Sequence, residues 1–152
     1  MTASGKIVTF GPRRGTEFQI GADRFWTKGS ASERDAAFSV IEYEGAADAP
    51  GPPPHVHRGF EEVWYILEGE VTFTTESKQI QAGAGTYLRV PRGVPHTFRV
   101  TGLRPARWIG IFSPGKYVGL VEELGKLIPP VGPPNRAALR RLFAKYDSEL
   151  LG

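Results

Sequence analysis

The chain has 152 residues, 40% of them hydrophobic and 23% charged, which suits one domain with its own core and is short for two. Its net charge of +3 is dispersed, with no Lys/Arg run beyond the pairs Arg13-Arg14 and Arg140-Arg141, and this argues against a nucleic-acid partner. The lack of cysteine excludes disulfides and thiolate metal sites, while the lack of an apolar run of about 18 residues or a secretory leader pattern gives a cytoplasmic expectation with no membrane partner.

The 19 Gly and 13 Pro favour an all-β chain with many turns. Residues 1–35 are expected to supply N-terminal edge strands, carried by "TEFQI" and "RFWTKGS". The next unit, residues 36–114, is expected to form a barrel core. It opens with "AAFSVIEYE", where Phe38, Val40 and Glu42 alternate with Ile41 and Tyr43. "EVWYILEGEVTFTT" contains two strands joined at Glu68-Gly69-Glu70, with Val71, Phe73 and Thr75 on one face. Further strands fall near residues 78–81, 86–90 and 97–101, and "RPARWIGIF" closes the series. Short strands about ten residues apart, separated by turn signals, indicate a sandwich or barrel.

Residues 115–152 read as a C-terminal helical extension of the same domain. Val118, Val121, Leu124 and Ile128 have helical spacing, which Gly119 and Gly125 weaken. After the breaker "PPVGPPN", Leu139, Leu142, Phe143 and Tyr146 form an apolar helical stripe with Asn135 as N-cap, and the helix is expected to run through "RAALRRLFAKYDSELL".

Only three histidines occur, and two of them, His55 and His57, are two positions apart. On a strand that spacing aims both imidazoles to one side. Glu61 and Glu62 follow across the short "RGF" turn, so either carboxylate can come back toward the same point. His96 follows a second tight turn, "VPRGVP". Three imidazoles and a carboxylate suit Fe, Mn, Co, Ni, Cu or Zn as a divalent ion, and six-coordination leaves two positions for other ligands.

Two motifs then resemble those of the cupins. The first is Gly51, His55-Val56-His57, Glu62 and Gly69, and the second is Gly85, Pro91, Gly93 and His96. The first has three residues between Gly51 and His55 where the family usually has five, and Val100 stands where the second usually ends in Asn. The six-residue gap to Gly69 selects Glu62 over Glu61. The resemblance implies a single-domain cupin jelly-roll barrel with a short C-terminal helical segment. It also implies one divalent first-row transition metal ion (Ni, Fe, Mn, Co, Cu or Zn) held by His55, His57, Glu62 and His96.

More of the chain, including "AGAGTYLRVPRGVPHTFRV" and "PPNRAALRRLFAKYDSELLG", is similar to the single-domain relatives of quercetin 2,3-dioxygenase. That similarity implies a dioxygenase using O2 on a flavonol-like or other enolisable aromatic small molecule, with Glu62 as metal ligand and general base. The rival readings are a non-oxidative isomerase or polyketide cyclase, and a non-catalytic small-molecule-binding protein.

Strand parity puts Trp64 and Ile66 on the face of Glu62 and Phe98 on that of His96, as pocket walls. Phe38, Phe73, Trp108 and Phe112 are further pocket candidates. Val63, Tyr65 and Leu67 take the opposite face and are expected to pack on a second sheet or a partner, and Glu61 is expected in a loop. A homodimer is expected through the N-terminal strands or the C-terminal helix.

Overall fold

The computed structural model describes residues 5–28 and 37–152. The expected boundary between the N-terminal strands and the barrel, at residues 35 and 36, lies outside the described residues. Eleven strands among the described residues form two antiparallel sheets facing each other. The six-stranded sheet has the order β1 (Thr16–Ile20), β2 (Asp23–Lys28), β3 (Ser39–Gly45), β10 (Ala106–Ser113), β5 (Glu61–Glu68), β8 (Tyr87–Val90). The five-stranded sheet runs β11 (Ser148–Leu150), β4 (His55–His57), β9 (His96–Thr101), β6 (Glu70–Thr75), β7 (Gln79–Gly83). This is a jelly roll, the double-sheet arrangement by which an antiparallel chain limits its open edges.

The turn at Gly69 does more than close a hairpin. Strand β5 belongs to one sheet and β6 to the other, so the chain crosses the barrel corner there. The expected edge role also holds only for β1, since β2 is paired on both sides and largely buried.

Inside the barrel, the alternation of small and large side chains decides what faces in. Ser39, Ile41 and Tyr43 on β3, and Ala106, Trp108, Gly110 and Phe112 on β10, alternate with residues on the outer face. Tyr43 stacks on Trp108 at 3.8 Å, Trp108 on Trp64 at 4.8 Å, and Trp64 meets Phe73 and Phe98 edge to face at 4.8 and 4.6 Å. Offset and edge-on contacts of this kind fill a small barrel with rigid rings. The same parity corrects one expectation: Phe38 precedes inward-facing Ser39, points out, and is 57% exposed, so it does not line the interior.

A second apolar cluster closes one end of the barrel. A 3-10 turn at Gly115–Val118 leads into α1 (Gly119–Leu127), and α2 (Arg136–Lys145) follows. Their buried Val118, Leu120, Leu139, Leu142 and Phe143 pack with Phe25, Ile41, Phe60 and Phe112 from the sheets. Gly125, which weakens α1 on propensity alone, sits where a Cβ would come within 2.9 Å of the Phe18 ring and 3.0 Å of the Gln19 carbonyl. Close approach of α1 to β1 therefore requires it. The Asn135 side chain caps α2 by accepting from Ala138 N–H at 3.0 Å.

The helix ends ten residues on, at Lys145, earlier than the sequence pattern suggests. Tyr146 leaves the helical region, Asp147 takes a positive φ of 49°, and Ser148–Leu150 becomes β11, paired with β4. Once Asp147 reverses the chain, the β4 edge offers Ser148–Leu150 a backbone ladder, and a tertiary partner overrides the helical period.

Candidate metal centre

Strand β4 is only three residues long, and all three are buried. Gly51 prepares its entry with a φ of 70°, and a side chain there would run into the Phe98 carbonyl. His55 lies directly opposite His96 in the β4–β9 ladder, and His57 lies opposite Ser148 of β11. The fourth residue, Glu62, comes from the other sheet, where it pairs with Val90 and Phe112. The site thus spans the barrel, with three imidazoles on one wall and a carboxylate from the facing one.

The ring centroids of His55 and His96 are 4.4 Å apart, those of His55 and His57 4.7 Å, and those of His57 and His96 5.4 Å. One ring nitrogen from each lies within 4.8 Å of the others. Glu62 Oε2 is 3.3 Å from His96 Nε2 and 3.7 Å from His57 Nε2. Glu61, by contrast, is paired with Arg89 at 2.7 Å on the outer face; it is part of strand β5, not a loop residue.

The opposite ring nitrogens fix the tautomers. His55 Nδ1 donates to the Pro53 carbonyl at 2.8 Å and His96 Nδ1 to the Val94 carbonyl at 2.9 Å. A carbonyl only accepts, so each Nδ1 carries the proton; the Nε2 of His55 then keeps its lone pair, while the Nε2 of His96 faces the Glu62 carboxylate at 3.3 Å. His57 Nδ1 lies 2.7 Å from Ser148 Oγ, whose own proton goes to the Tyr146 carbonyl at 2.9 Å.

Burial and neighbours set the charges. Burial, helped by the other two imidazoles, pushes the His55 pKa down to about 3, and burial likewise pushes His57 down to about 4, so both are neutral at pH 7. Burial also works against charge on His96, but the Glu62 carboxylate beside it prevails and raises its pKa. For Glu62 burial favours the neutral acid, yet the imidazoles of His57 and His96 outweigh it and hold the pKa at about 2. An ionised carboxylate and three inward imidazoles are a donor set that fits a divalent first-row ion and carries no thiolate.

Aromatic rings close around this centre. Phe60 stacks on His57 at 4.2 Å, and Phe143 of α2 meets His55 at 5.6 Å and His57 at 6.4 Å. Among the expected pocket walls, Trp64 and Phe98 lie two positions from Glu62 and His96, and Phe112 is the cross-strand neighbour of Glu62. Trp64, Ile66, Phe73 and Trp108 are all buried in one core cluster, with Phe98 packed against it. Val63, Tyr65 and Leu67 take the outer face as expected, but Tyr65 and Leu67 are exposed in the single chain and do not meet the second sheet.

Sequence reasoning missed Ser148, Phe60 and the imidazole contact of Phe143. Phe60 had a signal, being apolar in a turn between two ligand positions. Ser148 had none, since ninety-one positions separate it from His57.

Residues 41–112 match the cupin domain family. That segment is a cupin domain. The chain is 30% identical over 91 residues to quercetin 2,3-dioxygenase of Bacillus subtilis, an alignment that covers 60% of this chain and 26% of that protein. It is 31% identical over 130 residues to a candidate quercetin 2,3-dioxygenase of Pseudomonas aeruginosa, covering 70% of this chain and 44% of that one. The chain therefore spans less than half the length of these curated relatives. Its fold is similar to the polyketide cyclase RemF from Streptomyces resistomycificus, with a TM-score of 0.59 and 19% identity, covering 75% of this chain and 94% of that one. No helix among the described residues is long and apolar enough to cross a membrane.

Proposed function

We propose that this cupin is a metal-dependent dioxygenase of the cytoplasm, acting with O2 on a flavonol-like or other enolisable aromatic small molecule. The observation that carries the reading is the convergence of three inward-facing imidazoles and an ionised carboxylate in a ring-lined site. The identity to two quercetin-dioxygenase relatives, at 30 and 31%, supports the reaction class. His55, His57, His96 and Glu62 would hold one divalent ion, with Ni, Fe, Mn, Co, Cu and Zn all suited to the donors.

Bound there, the ion would acidify an enol hydroxyl and orient it. The chain does the rest. Glu62, held ionised by the neighbouring imidazoles, accepts the hydroxyl proton at its carboxylate. Trp64, Phe98 and Phe112, the rings adjacent to the ligands in strand register, would orient an aromatic substrate. Phe60 and Phe143 cover the imidazoles and keep bulk water from them.

The same reading includes a homodimer built on the N-terminal strands or the C-terminal helix. Ile7, Val8 and Phe10 are exposed in the single chain and give the N-terminal segment apolar surface to bury, and sedimentation that shows only monomer rejects it.

The deciding experiment is oxygen uptake with a flavonol by protein loaded separately with Fe(II), Mn(II), Co(II) and Ni(II). Uptake that requires both metal and flavonol is expected. Full metal loading with no uptake for any ion would move the assignment to a non-oxidative isomerase or cyclase.

A further inference from the structure

The three imidazoles are oriented by two different kinds of partner. His55 and His96 each donate to a main-chain carbonyl two residues earlier, Pro53 and Val94, so their own loops fix them. His57 relies on Ser148 Oγ, a side chain ninety-one positions away. Ser148 is 7% exposed, which leaves little room for solvent to replace it.

Several contacts hold that hydroxyl in place. The β11–β4 ladder sets Ser148 opposite His57, Arg58 N–H donates to the Asp147 carbonyl at 2.8 Å, and Leu151 N–H donates to the Pro54 carbonyl at 2.8 Å. Tyr117 Oη donates to the Asp147 carboxylate at 2.6 Å, tying the turn before β11 to the 3-10 segment. Donation from Ser148 Oγ to the Tyr146 carbonyl then leaves only an acceptor facing His57.

We infer that Ser148 is a positioning residue for the metal centre, and that β11 completes the site by fixing the His57 tautomer. The inference rests on the metal reading above. Without the hydroxyl, His57 keeps a buried Nδ1–H with no acceptor or moves its proton to Nε2, where it blocks the lone pair that would face the ion. Outer partners of metal-bound histidines typically contribute 10–100-fold in metal affinity, about the loss expected here.

The test is a Co(II) titration of the full chain, followed by the visible absorption of the bound ion. It compares wild type with Ser148→Ala, Ser148→Thr and Glu149→Ala. Glu149 lies on the same strand, is exposed, and among the described residues its carboxylate pairs with exposed Arg58, so its loss perturbs the strand without touching His57.

Ser148→Ala is expected to bind about 10–100-fold more weakly and to alter the Co(II) spectrum. Ser148→Thr, which keeps the hydroxyl, should restore both, and Glu149→Ala should match wild type. Wild-type affinity and spectrum in Ser148→Ala would overturn the inference, and so would an equal loss in Glu149→Ala. A wild-type chain that takes up no Co(II) would instead overturn the metal reading itself.

Discussion

Glu62 is the only one of the four proposed ligands that comes from the six-stranded sheet, and its chemistry differs accordingly. The imidazoles hold it ionised against the cost of burial, and it is the group placed to take a proton. Glu62→Gln should therefore keep metal better than it keeps turnover, which should fall about 100-fold or more. Metal content and steady-state rates on the same preparation check it, and undiminished turnover removes Glu62 from the chemistry. His96→Ala should lose most of its bound metal and remain folded, because the barrel is held by the apolar cluster around Trp64 and Trp108. Metal analysis after dialysis, with circular dichroism alongside, reads both parts; stoichiometric retained metal would defeat the assignment.

At the scale of elements, α2 links stability to the site. Its capped N-terminus starts the helix and its Phe143 reaches the rings of His55 and His57. Asn135→Ala removes the side-chain acceptor for Ala138 N–H and should cost about 1 kcal/mol, seen as a melting temperature lower by roughly 2–4 °C. Phe143→Ala leaves a cavity between α2 and the imidazoles and should cost about 3–5 kcal/mol in a urea titration. An unchanged midpoint in that variant would show that α2 does not pack on the site. The sequence stripe of Leu139, Leu142 and Phe143 made this helix visible, because its buried face follows a local period. Its end was not visible, since Tyr146 and Leu150 continue an apolar pattern that the chain uses for a turn and a strand instead.

Across the whole molecule, one buried carboxylate on the outer face of the larger sheet ties several parts together. Glu42 of β3 accepts from Lys28 Nζ of β2 at 2.7 Å, from Arg107 Nη2 of β10 at 2.8 Å, and from Arg13 N–H at 2.8 Å. Burial opposes its charge, but these three donors prevail and hold its pKa at about 2 against an ordinary 4.5. A carboxylate depressed in the folded state contributes fully above about pH 4.5, and that contribution is lost as pH falls toward about 2. The loss amounts to about 3 kcal/mol at most. Glu42→Gln should flatten the stability profile between those two pH values, as measured by denaturant midpoints. An equally steep profile in the variant would assign the acid sensitivity elsewhere.

The sequence by itself determined the strands and the ligand candidates, because both rest on short-range geometry. Alternation along a strand aims His55 and His57 together, Gly and Pro mark the turns, and motif spacing singles out Glu62. It also yielded the inward parity of Trp64, Ile66 and Phe98. Only the tertiary structure decided that Phe38 faces out, that β5 and β6 belong to different sheets, and that Ser148 stands behind His57. These depend on which strand edges pair across the fold, a choice made by long-range packing that no local period records.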